Sequence, residues 1–262
     1  MEPTRADPQT LAWAPVDPLP TLRRGVAGLR LAVLPDAERV GVEKEVLAAY
    51  DAAVTRARRA RRADRPRRLP RRLADYTAAT GVIIGAEGYR FVGHLVDDAT
   101  LPTDPHVRPR IQLGKNISAR DYLLALAQRE EHKREFAAAL ADVDAVLTPT
   151  AQTAAIPIDR VDQSTTSAHF TRPGNYLGLC GLAIPSGFSA EGLPLSLQIL
   201  CHAGRGSDGA AHRLGVRAGH ELEGSPAAGA VSARSSAIAV PEVVVQSAER
   251  SSQHRRLARS SR

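Results

Sequence analysis

The chain has 262 residues, of which 43% are hydrophobic, and a formal net charge of +7. This length suits one large domain or two small ones and is ample for a buried core. Two cysteines are too few for a secreted disulfide scaffold, and no segment has the form of a signal peptide or a membrane span. We therefore expect a cytoplasmic protein with no membrane partner.

The positive charge is concentrated in two segments. Residues 56–72 hold ten arginines and one acid, and residues 231–262 hold six arginines and two glutamates, so the rest of the chain is net acidic. Clustered arginines can neutralise phosphates, but no aromatic platform or fold motif accompanies this run. We interpret 56–72 as a solvated or disordered charge run and do not expect nucleic acid as a partner. Because buried, unpaired guanidinium groups are costly, the run predicts no buried strand.

The first elements predict a parallel pair of strands. Leu29–Leu34 is a short apolar run typical of a buried strand. A helix is predicted from about Val42, with one apolar face formed by residues at four-residue spacing: Val46, Tyr50 and Val54. A strand followed by an amphipathic helix indicates a crossover into a parallel sheet.

Two longer helices and a strand follow. Leu73–Val96 is predicted to be helical, although four glycines weaken the pattern. Ser118 and Asp121 form an N-cap pattern that opens a helix through Leu140. Its middle, Arg129–Arg134, is densely charged and is expected to face water.

The later part of the chain predicts a strand and a hairpin. The strand is Asp144–Thr148. Within Phe170–Leu200, two apolar runs flank a four-residue turn, which is typical of a hairpin of buried strands. Pro185 and Pro194 each remove a backbone donor, so the ladder should be interrupted or lie at an edge there. Pro173–Asn175 is predicted to be a turn.

The residues of this hairpin region are more specific than its periodicity. They read Phe-Thr-x-Pro-x-Asn-x-x-Gly-Leu-x-x-Leu-x-Ile-Pro-x-Gly, and then Gly-Leu-Pro-Leu-x-Leu-Gln. This pattern resembles the C-terminal core of the amidase signature family, whose members hydrolyse linear amide bonds. The resemblance covers roughly residues 7–218 and implies an α/β fold, an incomplete amidase-signature fold with a mixed sheet flanked by helices.

The resemblance also divides the chain. It implies that residues 1–223 are the C-terminal portion of an amidase-signature domain, with a basic insert foreign to the family at 56–72. Ser, Ala and Arg dominate from residue 224 onward, so we predict that 224–262 is a disordered tail.

The family's catalytic residues have no counterpart in this sequence. By resemblance, catalysis needs a Ser-Ser-Lys triad in a Gly-Ser-rich core, and no Gly-Gly-Ser-Ser-Gly stretch occurs. The lysines Lys44, Lys115 and Lys133 have no paired serines beside them, so no catalytic residue is predicted. Cys180–Gly181 is a further departure, since the family usually has proline and a small residue there.

The resemblance does imply three substrate-binding residues. Arg110 matches an arginine that faces the substrate funnel in some relatives, with a surface or structural ion pair as the alternative. Thr171 and Asn175 match positions near the pocket, and the alternative for Asn175 is that it braces the turn.

Other candidate sites are weaker. Gly204, Gly206 and Gly209 fit a dinucleotide-binding fingerprint, but no second parallel strand is predicted after them, so a flexible loop is favoured. No histidine or cysteine spacing matches a metal site, so we expect neither a metal nor a cofactor. His94, His106, His132 and His169 are expected to bond locally or face solvent. Cys180 is a candidate nucleophile, but a small buried thiol in a tight turn is the favoured alternative.

The sequence thus favours a C-terminal fragment of an amidase-family hydrolase. Its implied partners are a small amide substrate and a missing N-terminal half, and alone it should be inactive. The alternative is a non-catalytic remnant or an interaction protein with a basic arm, with nucleic acid as the ligand that such an arm would fit.

Overall fold

The computed structural model describes residues 29–60, 63–163 and 166–202, with no side chain described from 59 to 66. The strands are β1 (Leu31–Val33), β2 (Ala63–Pro66), β3 (Ala145–Pro149), β4 (Cys180–Phe188) and β5 (Pro194–Cys201). The helices are α1 (Lys44–Ala60), α2 (Leu73–Asp97), α3 (Val107–Gln112), α4 (Ala119–Ala139) and α5 (Arg172–Leu177). The predicted α/β class is confirmed.

The five strands form one mixed sheet in the order β2-β1-β3-β5-β4. β1 pairs in parallel with β2 and with β3, whereas β5 is antiparallel to both β3 and β4. The predicted mixed sheet is therefore confirmed, with the parallel strands on one side and the hairpin on the other.

Helix α1 connects the two parallel strands as its periodicity predicts. Val46, Tyr50 and Val54 are all buried. The Tyr50 hydroxyl accepts the backbone N–H of Leu34 at 2.8 Å and donates to the carbonyl oxygen of Leu147 at 3.0 Å. Tyr50 therefore joins the chain just after β1 to the middle of β3.

The arginine run contains regular structure, which the sequence did not predict. α1 continues to Ala60, and β2 lies within the run and pairs with β1. A disordered run is therefore the wrong interpretation for these residues, whereas the exposed side chains of Arg56, Arg58, Arg67 and Arg68 agree with a solvated charge run. β2 lies at the edge of the sheet, where only one side needs a hydrogen-bonding partner, and edge strands tolerate charged residues.

Helices α2 and α4 match their predicted spans closely. The Ser118 hydroxyl accepts the backbone N–H of Asp121 at 3.1 Å, which confirms the predicted N-cap. A side chain at Gly114 would place its Cβ 2.0 Å from the carbonyl oxygen of Gly85 on α2. Gly114, in the turn after α3, therefore permits a close backbone approach to α2 because it has no side chain.

The charged middle of α4 does not simply face water. His132 is buried, with only 4% of its surface exposed. Arg129 donates to the carbonyl oxygen of Tyr176 at 2.6 Å, and Glu135 accepts two hydrogen bonds from Arg71. The expectation that Arg129–Arg134 faces water is therefore wrong for Arg129 and His132, because α4 packs against both α2 and α5.

The hairpin is confirmed, but only one of its strands is buried. Leu195 and Leu197–Cys201 of β5 are buried, whereas most of β4 is partly or fully exposed because it forms the sheet edge. The register shifts between Pro185 and Gly187, as the missing proline donor predicts.

The predicted turn at Pro173–Asn175 is instead helical. These residues lie in α5, with the proline in its first turn. Proline is favoured there because its missing N–H would have no helical partner. Gly178 ends the helix with φ +67°, a left-handed conformation suited to glycine.

Several predictions fall outside the described residues. These are the glycine-rich segment 204–209 and the tail 224–262. Within the ranges that the structure describes, no helix has both the length and the apolar character needed to cross a membrane.

Candidate functional site

The residues of the family-like pattern meet where α5 packs on the sheet. Gln198 of β5 is buried, and its amide nitrogen donates to the carbonyl oxygen of Phe170 at 2.8 Å and to the Thr148 hydroxyl at 3.0 Å. Both amide N–H donors are thereby used. We call this group the α5 wall: helix α5 with Phe170, Gln198 and Thr148.

The α5 wall is fixed by packing as well as by hydrogen bonds. Phe170 has none of its surface exposed. The His169 ring packs edge-to-face against the Phe170 ring, with the two ring centroids 4.7 Å apart. Burial lowers the pKa of His169, so this imidazole is favoured in its neutral form. His169 therefore flanks the wall as an uncharged group near neutral pH.

Two of the three predicted substrate residues lie on the α5 wall. Thr171 immediately precedes α5, and the backbone N–H of Asn175 donates to the Thr171 carbonyl oxygen at 3.4 Å. Asn175 is exposed, and its own carbonyl oxygen accepts from Arg129 at 3.3 Å. The two residues thus lie one helical turn apart, with the backbone of Asn175 held by α4.

Arg110 is not brought to the α5 wall. It is exposed on α3, where the neighbouring Ile111 packs against Gly88 of α2. α5 instead contacts the start of α2, where the rings of Tyr76 and Tyr176 are 6.0 Å apart. The two contact points are therefore about 18 Å apart along α2.

A buried aromatic cluster supports α5 from behind. Nδ1 of His132 lies 3.0 Å from the Tyr176 hydroxyl, and the Tyr76 ring packs edge-to-face against both His132 and Phe136. The prediction that His132 bonds locally or faces solvent is wrong, because it is buried and its partner lies 44 residues away, whereas His94 and His106 are exposed as expected. Burial lowers the pKa of His132 and raises the pKa of Tyr76 to about 12.

The carboxyl end of β3 adds two threonines that were not predicted as site residues. Thr148 is buried and bonded to Gln198. The hydroxyl of Thr150 is buried and has no hydrogen-bond partner among the described residues. Gln198 ends the family-like pattern quoted above, but Gln198 and Thr148 each lie within an apolar run, a position typical of structural residues. Sequence reasoning therefore missed their convergence.

A second polar region lies beyond the carboxyl ends of β1 and β2. We call it the arginine corner: Arg67, Arg71 and Arg72. Arg71 makes a two-pronged ion pair with Glu135 at 2.7 and 2.9 Å, and Arg67 pairs with Asp142. Nε of Arg72 lies 3.8 Å from the buried Glu38 carboxylate.

The arginine corner borders an open cleft of about 550 Å³. The hydrogen bond from Arg71 is the main cause that lowers the pKa of Glu135. Because each arginine of the corner is matched by a carboxylate of the same chain, its positive charge is largely balanced internally.

Two of the three lysines lie in ion pairs. Lys133 pairs with Glu130 at 2.8 Å. Lys115 lies 3.0 Å from an Asp97 carboxylate oxygen, and its hydrogen bond to Asp97 raises the pKa of Lys115. A lysine that deprotonates a serine must be uncharged, so this shift opposes that role for Lys115.

Cys180 departs from its predicted environment. It is exposed at the first residue of β4, not buried in a tight turn, because β4 is the edge strand. Within the described residues, no three histidine, cysteine or acidic side chains are grouped as a metal site.

Comparison with known proteins decides the family. The family model described as Amidase matches residues 5–208. The chain belongs to the amidase family. Its relatives include a glutamyl-tRNA(Gln) amidotransferase subunit from Acidobacterium capsulatum, which is 29% identical over 208 residues. That match covers 68% of this chain but only 43% of the relative, so the chain spans less than half the length of this amidase.

Solved structures show the same fold. One is an inhibitor-bound chain of a vestigial protein complex described as revealing the origins of an s-triazine catabolic enzyme. It superposes with a TM-score of 0.70 at 23% identity, covering 84% of this chain and 48% of that one. A glutamyl-tRNA(Gln) amidotransferase subunit from Thermotoga maritima gives a TM-score of 0.58 at 24% identity. The match covers 86% of this chain and 48% of that one.

Proposed function

We propose that this chain is the C-terminal portion of an amidase-family hydrolase that acts on the C–N bond of a small amide. Its α5 wall forms one side of the substrate pocket, and the serine nucleophile comes from residues outside this sequence. The buried Gln198 bridge carries this proposal, because it fixes the family-like segment Phe170–Asn175 against the end of β3.

The α5 wall is suited to positioning a substrate, not to breaking a bond. It presents Thr171 immediately before a short helix and the exposed Asn175 on that helix. Gln198 holds the backbone at Phe170, and Arg129 holds it at Asn175. Hydroxyl and amide side chains can donate to and accept from an amide group. Arg110 lies on a different part of the surface, so we assign it to the outer approach to the pocket.

The exposed surface supports the idea that the domain extends beyond these residues. Large apolar side chains on α2, the turn after α3, and α4 are more than half exposed: Phe91, Leu113, Leu123 and Leu124. Monomeric proteins usually limit such exposure. We propose that additional polypeptide covers them in the working enzyme, which would be a cytoplasmic assembly.

The test is labelling and turnover by the purified chain. The chain alone should neither hydrolyse small aliphatic or aromatic amides nor react with a serine-directed fluorophosphonate. Robust labelling of this chain would overturn the claim that the nucleophile lies elsewhere.

A complementation experiment tests the positive half of the proposal. Co-expression with the N-terminal half of the Acidobacterium relative should restore fluorophosphonate labelling on that half and amide hydrolysis. An Asn175→Ala variant should raise KM more than it lowers kcat, because this side chain positions the substrate. Restored labelling with no effect of this variant would remove the α5 wall from the pocket.

The alternative function, an interaction protein that binds nucleic acid through its basic arm, is less well supported. The carboxylate partners of Arg67, Arg71 and Arg72 compete with phosphate for these side chains. We expect no salt-dependent retention on DNA. Retention that falls steeply with added salt would favour this alternative.

A further inference from the structure

Cys180 and Cys201 face each other across the β4–β5 ladder. Their Cα atoms are register partners in the antiparallel pair. Residues directly opposite each other in such a pair carry their side chains on the same face, with Cα atoms about 4.5–5.5 Å apart. This spacing lies within the range of about 4.4–6.8 Å found for disulfides. The Sγ atom of Cys201 lies 3.6 Å from the carbonyl oxygen of Cys180.

The two thiols differ in their access to solvent. Cys180 is exposed at the sheet edge, whereas Cys201 is only 2% exposed. A small disulfide in solution can therefore reach Cys180 but not Cys201. The buried thiol can react only with a sulfur brought to it within the fold, and Cys180 supplies that sulfur.

We propose that Cys180 and Cys201 form a redox modification site that takes a low-molecular-weight disulfide, such as glutathione disulfide, as its oxidant. The Cys180 thiolate attacks one glutathione sulfur, which forms a mixed disulfide and releases one reduced glutathione. The Cys201 thiolate then attacks the Cys180 sulfur and releases the second. The two protein thiols are oxidised to one disulfide, their protons leave to solvent or glutathione thiolate, and glutathione disulfide is reduced to two thiols.

The bond would lock the hairpin that carries the α5 wall. α5 ends at Leu177, three residues before Cys180, so a bond to the end of β5 also anchors the exit from this helix. The hairpin strand β4 has a ladder partner on one side only within the described sheet, and a covalent link opposes its fraying. This inference does not depend on the proposed amidase function.

The test is an equilibrium in mixtures of oxidised and reduced glutathione, followed by alkylation and intact mass measurement. The folded full chain should lose two hydrogens, carry no glutathione and take up no alkylating reagent. Trypsin cannot separate the cysteines, because no lysine or arginine lies between them, whereas Glu191 is a single acidic site between them. Digestion after glutamate should therefore release two peptides joined by a disulfide.

Two single variants separate the steps. A Cys201→Ser chain should retain one glutathione on Cys180, because no second thiol displaces it. A Cys180→Ser chain should retain none, because Cys201 is shielded. In urea, the equilibrium constant for forming the intramolecular disulfide should fall by at least about tenfold, since the fold no longer holds the two sulfurs together.

Three results would overturn the inference. In the first, the unmodified chain keeps a stable glutathione adduct on Cys180 while Cys201 remains a thiol. In the second, oxidation yields disulfide-linked dimers through Cys180. In the third, urea leaves the equilibrium unchanged, which would mean that the fold contributes nothing to the pairing.

Discussion

The α5 wall and the arginine corner are held in place by different forces. The α5 wall rests on the fully buried Phe170 and on the two hydrogen bonds of the buried Gln198. The arginine corner rests on ion pairs whose side chains are largely 31–66% exposed, apart from the buried Glu38. Exposed ion pairs contribute little to stability, while buried contacts contribute much. The family-like segment is therefore positioned by the core, and the arginine segment by surface charge.

The strongest test of this contrast is Phe170→Ala. Because the ring is fully buried, its removal should lower the free energy of unfolding by about 3–5 kcal/mol. Phe91→Ala is the matched control, since Phe91 is 65% exposed and should cost less than about 1 kcal/mol. Urea unfolding followed by circular dichroism measures both. Equal losses would mean that the wall does not depend on its core contact.

A smaller loss is expected for Gln198→Leu. This change removes both amide donors and leaves the Phe170 carbonyl and the Thr148 hydroxyl without that partner, so unfolding should become easier by about 1–3 kcal/mol. Gln128→Leu on the exposed face of α4 should change stability by less than about 0.5 kcal/mol. If Gln198→Leu is neutral in urea unfolding, the bridge does not hold the wall.

The support behind α5 should depend on pH through His132. Burial lowers its pKa in the folded protein, so the unfolded chain binds a proton at a higher pH than the folded chain does. The contribution of His132 to the free energy of unfolding should therefore be fully present above pH 6.5, the ordinary histidine pKa. It should be lost as pH drops below 6.5 toward the lower pKa of the folded protein.

The difference between the free energies of unfolding at about pH 7.5 and about pH 5.5 measures this dependence. His132→Asn should flatten the difference between the two values, whereas His94→Asn at an exposed position should leave it as in the parent chain. An unchanged slope in His132→Asn would contradict the assigned pKa direction.

The smallest effect is expected in the arginine corner. Arg71 lowers the pKa of Glu135, so their contribution to stability is present above the ordinary glutamate value of 4.5 and is lost as pH falls through the lowered folded pKa. Arg71→Gln should destabilise slightly at neutral pH, less than Gln198→Leu does, and the difference should vanish in acid or high salt.

Arg120→Gln, at an exposed position on α4, serves as the control and should show no such pH dependence. Urea midpoints at neutral and acid pH measure both variants. The contrast between the two regions would be contradicted if Arg71→Gln lowered stability as much as Phe170→Ala does and if this loss of stability persisted in acid.

The elements with strong periodicity were predictable from the sequence. The apolar face of α1 and the apolar runs of β1, β3 and β5 are enough to predict that these elements are buried. The Ser118 cap predicts the start of α4. The strand β2 was not predictable from an apolar pattern. An edge strand pairs its backbone on one side and does not require apolar side chains, so its sequence carries no such pattern. α5 was missed because proline and glycine indicate a turn as readily as a first helical turn.

The candidate site was only partly predictable for a related reason. Thr171 and Asn175 come from a local pattern, and the first turn of α5 brings them together. Gln198 and Thr148 lie 50 residues apart and meet only through the pairing of β3 with β5. His132 lies within a run of charged residues, and its burial follows from the packing of α5 on α4. Such long-range contacts have no signature in a single sequence.

The hydroxyl of Tyr50 has a geometric consequence for the sheet. It stands between the N–H of Leu34 and the carbonyl oxygen of Leu147, with hydrogen bonds of 2.8 and 3.0 Å in series. The direct pairing of β1 with β3 ends at Val33 and Leu147, so this hydroxyl bridges the two strands at the point where their ladder stops. Because burial raises the pKa of Tyr50 to about 12, the bridging hydroxyl keeps its proton throughout the neutral range. A single side chain thus ties the parallel strands together beside the carboxyl end of β1, and crevices at such ends are where open α/β sheets bind ligands.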